Sequence, residues 1–409
     1  MKRKKSARAW RGLTGVSATV MAILVAGSTV ANANAAFINT RLGTASQKMV
    51  DSSTEDSMYY DSEFSSLEDM YNAKVMLAEE IAGEGTVLFK NDSAALPLAK
   101  NEKITLWGMN SHYPTLGGMI GSSTASDTNN GQVPVDLEQA FTQKGFTLNQ
   151  NFIDLYSGKE ASEYMRTGFG QPGHGLMPAF TPTYETPAAY PVGEIPSDLY
   201  TEDTLSSADD TTAVVVISRD SSEAADYEPG MKNATKGDSF ERPLALSDYE
   251  KSMIDLAKKH STKVVVLLNA DNPMEIDSLK KDPDIDSIVW AGEPGMYGFL
   301  GVVDALDGDA NPSGKITDTY TVNSVSSPAM QNFGVYTYTN ASNNGGTLTE
   351  DNKADWFAVE TEGIYDGYKY YETRYEDQVL GQGNADDKAG SSTGDAWDYQ
   401  NEVSYPFGY

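Results

Sequence analysis

Two short runs constrain this chain more than any other feature: Ala213-Val-Val-Val-Ile217 and Val264-Val-Val-Leu-Leu268. Each has the length of a strand and falls well short of the roughly 20 apolar residues a bilayer crossing needs. Neither alternates apolar with polar side chains, so both faces of each strand must be covered. Central strands of a parallel sheet with helices on both sides carry this pattern. Thr86–Phe89, Ile104–Trp107 and Ile288–Trp290 read as further strands. Helical spacing occupies 66–82, where Leu67, Met70, Tyr71, Leu77, Ala78 and Ile81 recur behind a Ser66/Asp69 capping pair, and recurs at 135–144, 247–260 and 297–306. The first helix should stop near Gly83 and Gly85. The expected class is α/β, a doubly wound and mostly parallel sheet flanked by helices, with irregular insertions at about 150–205 and 322–361.

Ligands of such sheets bind beyond the carboxyl ends of the strands, which directs attention to the segments after Trp107, Ser218, Asn269 and Trp290. The segment after the strand at 213 carries Asp220, Glu223 and Asp226. A carboxyl group there can be turned into a cleft, partly desolvated and kept protonated for donation to a leaving oxygen. Glu223 suits that role; an acidic, solvated loop is the competing reading of the same residues.

Charge narrows the partners. The first 35 residues hold six cations (Lys2, Arg3, Lys4, Lys5, Arg8, Arg11) and no acid, so the rest has 24 cations against 59 acids and a net charge of −35. Such a surface repels nucleic acid and anionic lipid, leaving neutral ligands such as sugars. The basic start, the uncharged run Gly12–Ala31 and the small residues Ala31, Ala33 and Ala35 describe a secretory signal or a retained N-terminal anchor. Residues 36 onward are then expected outside the cytoplasm, with 36–65 as a linker and 66–409 as the folded domain. The sequence contains zero cysteines, so neither a disulfide nor a thiolate is available and stability must come from a buried core.

Other chemistries fit less well. His112, His174 and His260 are the only histidines and none adjoins a nucleophile motif. Asp307, Asp309, Asn311, Ser313 and Asp318 have calcium-loop spacing, but Pro312 occupies the position where that loop needs glycine. In Asn311-Pro-Ser-Gly314, Pro312 fixes φ and Gly314 is expected to supply a positive φ, making a tight turn. Tyr365–Tyr375 is rich in aromatics and reads as a buried strand or as a platform for sugar rings.

The stretch Val214–Asp226, with Lys236-Gly-Asp238, Leu246-Ser-Asp248 and Val264–Asn269, resembles the second domain of family 3 glycoside hydrolases of the β-glucosidase type. Gly292-Glu-Pro-Gly-Met-Tyr-Gly298, Gly308–Lys315, Glu362–Asp377 and Tyr405-Pro-Phe-Gly-Tyr409 extend the resemblance over about 70–409, and Gly117–Ser123 matches a small-residue loop near the family's active site. The resemblance implies that Glu223 is the general acid/base, with Asp226 and Asp238 as orienting or sugar-binding neighbours, on an oligosaccharide or β-glucoside substrate. Ser222, Ala224 and Tyr227 stand where the family usually has Gly, Gly and Arg. The family's nucleophilic Asp lies on a β/α barrel of about 250 residues, for which this chain has no room; Asp355-Trp356 matches the nucleophile's context only by coincidence. The expectation is a truncated or reversed-order member that needs a barrel to act and no cofactor, since two carboxylates suffice. A non-catalytic sugar-binding module and one subunit of a split enzyme remain alternatives.

Overall fold

The computed structural model describes residues 2–33, 63–117, 133–168, 171–172, 189–220, 227–334, 336–337 and 356–409. The chain divides into two compact units, residues 1–63 with 126–133, and residues 64–125 with 134–409. In the first, Lys2–Ala33 is one helix whose span Trp10–Thr29 has a mean hydropathy of 1.5 and is long and apolar enough to cross a membrane. The predicted linker lies outside the described residues as far as position 62.

The second unit is built on a six-stranded sheet. Its strands are β1 (Val87–Asn91), β2 (Lys103–Trp107), β3 (Thr147–Leu148), β4 (Thr212–Arg219), β5 (Lys263–Ala270) and β6 (Ser287–Trp290), in the order β1-β6-β5-β4-β2-β3. All neighbours are parallel except the edge strand β1, which runs antiparallel to β6. Val215 pairs with Val266, and Leu106 with Val214, so the two apolar runs lie side by side at the centre. Every residue of β4 is buried, as a strand covered on both faces requires.

Alternation along these strands feeds two separate cores. Ala213, Val215 and Ile217 pack with Met253 and Ala257 of α4 (Asp248–His260) and with Phe152 and Tyr156 of α3 (Gln150–Tyr156). Val214 and Val216 face the other way, toward Phe141 of α2 (Leu137–Gln143) and Phe299 and Val303 of α6 (Gly298–Asp307). The helix α5 (Asp277–Lys281) and the long α1 (Leu67–Gly85) complete the layers. Much of the region expected as an insertion at 150–205 belongs to the first core, through Phe152, Tyr156, Ile195 and Tyr200.

The α1 helix stops at Gly85, as expected, and within it Gly83 packs against Gly301 of α6, where a Cβ on Gly301 would lie 2.6 Å from Gly83 N. Two local expectations are corrected. Gly314 does not adopt a positive φ; the nearby glycine that does is Gly308, at +86°, which caps the carboxyl end of α6. Gly314 is required for space, since a Cβ there would lie 2.1 Å from the carbonyl oxygen of Gly85. Finally, the aromatic segment is not a strand: Tyr368–Leu380 is a helix, α7, burying Tyr371 against Trp397 and Val403. Tyr368, Tyr371 and Tyr375 repeat at helical spacing, and that period outweighs tyrosine's preference for strands.

Candidate active site

The direction of winding reverses between two neighbouring strands. From β2 the chain crosses to β3 on one side, then returns to β4 on the other and continues to β5 and β6. In doubly wound sheets ligands bind beyond the carboxyl ends of the strands at such a reversal, here β2 and β4.

Polar side chains tie these ends together. Asn269, last but one in β5, accepts the Thr115 N–H at 2.7 Å and donates to the carbonyls of Thr115 and Gly292 at 2.9 and 2.6 Å. One side-chain amide thus joins the loops that follow β2 and β6. Thr115 Oγ1 lies 3.0 Å from Ser218 Oγ of β4, extending the bridge to the switch point.

Arg166 enters this network from the 150–205 region and is 1% exposed. Its Nη1 donates to Tyr190 Oη at 2.8 Å and lies 3.4 Å from Asp220 Oδ1. Its Nη2 donates to Thr115 Oγ1 and Ser218 Oγ, both at 3.1 Å. Tyr190 in turn donates to the Asp220 carboxylate, and its oxygen accepts the Asp220 N–H at 3.2 Å. Burial pushes the Tyr190 hydroxyl up to about 12 despite the opposing effect of Arg166, so it remains a proton donor at neutral pH. Beyond the loop, Tyr227 Oη donates to the Asp220 carbonyl at 2.7 Å and its ring meets that of Tyr190 edge-on.

The next residue back points to the opposite side, as strand geometry dictates. Arg219 uses all of its donors: Nε to Pro243 O, Nη1 to Ser218 O and Glu250 Oε1, and Nη2 to Ala245 O and Glu250 Oε2. Glu250 also completes the capping box of α4 with Ser247. The strand end and the helix start are thereby fixed to each other.

A second carboxyl group, Glu194, is fully buried at the mouth of β2. Its Oε1 accepts the Ile195 N–H at 2.8 Å and Tyr200 Oη at 3.3 Å, and Oε2 accepts the Met109 N–H at 3.0 Å. Burial pushes its pKa up to about 8, opposed by the Ile195 and Met109 N–H bonds and reinforced by the charge of Glu250. Gly108 has φ +93°, and a Cβ there would lie 2.9 Å from Val216 O and 3.1 Å from Glu194 Oε2. Only glycine lets the chain turn out of β2 across this carboxyl group.

Of the residues singled out in sequence, Glu223 and Asp226 lie outside the described residues, as do most of Gly117–Ser123 and the Asp355 of Asp355-Trp356. Asp220 sits buried at the root of that loop. Asp238 is placed at the start of α4: Oδ1 accepts the N–H groups of Tyr249 and Ser239 at 3.0 and 2.9 Å, and Oδ2 accepts Asn233 Nδ2 at 2.8 Å. Burial holds its carboxyl above the ordinary aspartate value. Arg166, Tyr190 and Glu194 escaped the sequence reading because they lie in a segment without periodicity, and the only hint was a charged residue next to aromatics. The acidic trio Asp304, Asp307 and Asp309 is balanced by lysines: Lys100 contacts Asp307 at 2.6 Å and also Asp309, and Lys144 contacts Asp304 at 2.6 Å.

The fold is a doubly wound α/β sandwich with a buried polar network at the sheet's switch point. The sequence profile of the glycosyl hydrolase family 3 C-terminal domain matches residues 86–375, and the chain belongs to that family. It is 27% identical over 355 residues to β-glucosidase A of Butyrivibrio fibrisolvens and 25% identical over 315 residues to a β-glucosidase of Ruminococcus albus. These alignments take in 82% and 76% of this chain but 34% and 27% of the relatives, so the chain spans only about a third of their length. Among solved structures, β-glucosidase 3B of Thermotoga neapolitana in complex with α-D-glucose superposes with a TM-score of 0.55 at 24% identity, over 84% of this chain and 38% of that one. A β-glucosidase of Paenibacillus barengoltzii gives 0.51 at 22%, over 73% and 28%. The two structures share the fold.

Proposed function

We propose that this chain supplies the acid/base half of a retaining β-glucosidase-type active site. Glu223 donates a proton to the leaving oxygen and then, as carboxylate, takes one from the attacking water; Asp226 and Asp238 orient it or bind sugar hydroxyls. The nucleophilic carboxylate comes from a β/α barrel, in the same protein or on a separate chain, and meets Glu223 at the roughly 5–5.5 Å separation of retaining enzymes. The substrate is a β-glucoside or oligosaccharide, and no cofactor takes part. The domain works outside the cytoplasm, exported or held by the helix around Trp10–Thr29.

One observation carries this reading. Glu223 follows by three residues the buried Asp220, at the carboxyl end of β4 and beside the sheet's switch point. The names of the relatives, all β-glucosidases among those compared above, support the substrate class.

The test uses the complete enzyme with its barrel. Glu223→Gln should slow hydrolysis of glycosides with poor leaving groups by about 10²–10⁴-fold, the usual worth of general acid catalysis. Activated aryl glycosides, which need no proton at the leaving oxygen, should lose far less in glycosylation. Equal loss on both classes removes Glu223 from the role, and glycoside cleavage by these 409 residues alone removes the need for a barrel.

A further inference from the structure

We propose that the cavity between α7 and the loop that follows it is a binding site for a neutral sugar ring, separate from the switch point and independent of Glu223. Its volume is about 380 Å³, at the small end of ligand sites, so it takes one or two rings and not a long chain. Of its lining residues only Arg374 falls within residues 86–375, the stretch the family profile matches. The short strand Val403–Tyr405, a few residues further on, pairs with Tyr320–Thr321 and anchors this region at the β1 edge of the sheet, where the Tyr405 and Phe89 rings lie 4.5 Å apart. Two strands, β6 and β5, separate β1 from β4.

The walls are tied together by the protein's own bonds. Arg374 Nη1 donates to Tyr370 Oη at 2.6 Å and to the Ala389 carbonyl, and its Nη2 donates to the Asp386 carbonyl at 3.0 Å. Its guanidinium carbon stands 4.6 Å from the centre of the Trp397 ring. The Trp397 backbone N–H donates to the Asp387 carbonyl at 2.7 Å, and Gln378 Nε2 donates to the Trp397 carbonyl at 3.3 Å. The groups left over are those a ligand meets. Among the described residues, the carboxylates of Asp377 and Asp387 and the amide of Gln382 have no partner, and the buried Trp397 Nε1 has none either. Asp377 stands in the last turn of α7, which has no basic residue, so its charge opposes the helix dipole and gains nothing from the fold. Gly383, at φ +97°, keeps the space beside it open: a Cβ there would lie 2.8 Å from Asp377 Oδ2. Carboxylates, an amide and an indole donor around one small cavity suit hydroxyl groups, which donate and accept at once. Two carboxylates repel an anion, and a metal ion finds no third acidic or histidine ligand here among the described residues. Trp397 is 4% exposed and has no free face for stacking, so recognition is by hydrogen bonds.

The full-length chain labelled with ¹⁵N in tryptophan tests this, since its five indole N–H signals report on separate places. Titration with D-glucose or cellobiose should shift the Trp397 signal, assigned through Trp397→Phe, with a Kd of about 1 mM, the range of a small ligand held by a few hydrogen bonds. The signal of Trp290, at the carboxyl end of β6, should not move. Asp377→Ala should weaken binding about tenfold, the worth of one hydrogen bond to a charged group, and Asp377→Asn less, because its amide oxygen still accepts. Neither change should lower the thermal midpoint, whereas loss of a residue that serves the fold would. The proposal is overturned if neither sugar moves the Trp397 signal, or if Asp377→Ala leaves the titration unchanged or lowers the midpoint. It is equally overturned if calcium, inorganic phosphate or free lysine moves that signal and the sugars do not. A shift at Trp290 alone places the sugar at the strand ends and also removes the proposed site.

Discussion

Arg219 and Glu194 show how differently a charge can be accommodated at zero exposure. Arg219 makes a bidentate pair with Glu250 and gives its other N–H groups to carbonyls, so removing it strands a buried carboxylate. We expect Arg219→Met to cost roughly 3–5 kcal/mol in urea unfolding, and a loss within error of zero would refute that assignment. Glu194 has N–H donors but, among the described residues, no cationic partner, and burial dominates. A folded pKa of about 8, above the ordinary 4.5, means that the native state keeps a proton the unfolded chain has released. Stability is then greatest below pH 4.5 and falls as pH rises toward 8, by at most about 1.4 kcal/mol per pH unit from this group. Glu194→Gln should start lower, because its amide faces the Met109 N–H, but should lose this decline between about pH 5 and 8. Parallel stability–pH curves for the two proteins would exclude the effect. Neither group was legible in the sequence. Asp220 was noticed as an acid in a loop, yet its partners Tyr190 and Arg166 lie 30 and 54 residues away and nothing local announces them.

Elements were legible wherever burial on both faces wrote itself into composition, as in β4 and β5. They were misread where a short apolar or aromatic run fitted two periods, as in α7. Helix packing was legible only in part, because a glycine inside a helical pattern does not say whether it ends the helix or lets another approach. In α1 and α6 it does the second. A Cβ on Gly301 would sit 1.8 Å from Glu79 O and 2.6 Å from Gly83 N, both backbone atoms that cannot rotate away. Gly301→Ala must therefore push α1 off α6, and we expect a loss of about 3 kcal/mol or more. Gly85, at the end of α1, has nothing within 4 Å of its Cβ position. Gly85→Ala should fall within about 0.5 kcal/mol of wild type, so thermal unfolding of the pair separates steric contact from glycine's general effect on helices. Similar losses for both would mean that close approach is not what holds α1 in place.

At the scale of the whole molecule, the acidity that argued against nucleic acid also sets how the fold responds to salt. Acids outnumber lysines and arginines by 59 to 30. Some of that charge is paired: Arg219–Glu250 is buried, and Lys144 contacts both Glu79 and Asp304. Exposed pairs such as Lys236–Glu163 contribute little and weaken in salt, whereas the buried pair is screened little. The unpaired excess of carboxylates repels itself more strongly in the compact state than in the expanded chain. Raising ionic strength from about 0.01 to 0.15 M shortens the screening length from about 30 to 8 Å, which removes most of this repulsion and little of the buried attraction. Repulsion between many distant charges is the larger of the two quantities lost, so the thermal midpoint at pH 7 should rise across that range. Sodium chloride and potassium chloride should act alike, since the effect depends on charge and not on ion identity. A falling midpoint would mean that the surface pairs outweigh the excess, and that the acids are arranged around lysines more closely than their number suggests.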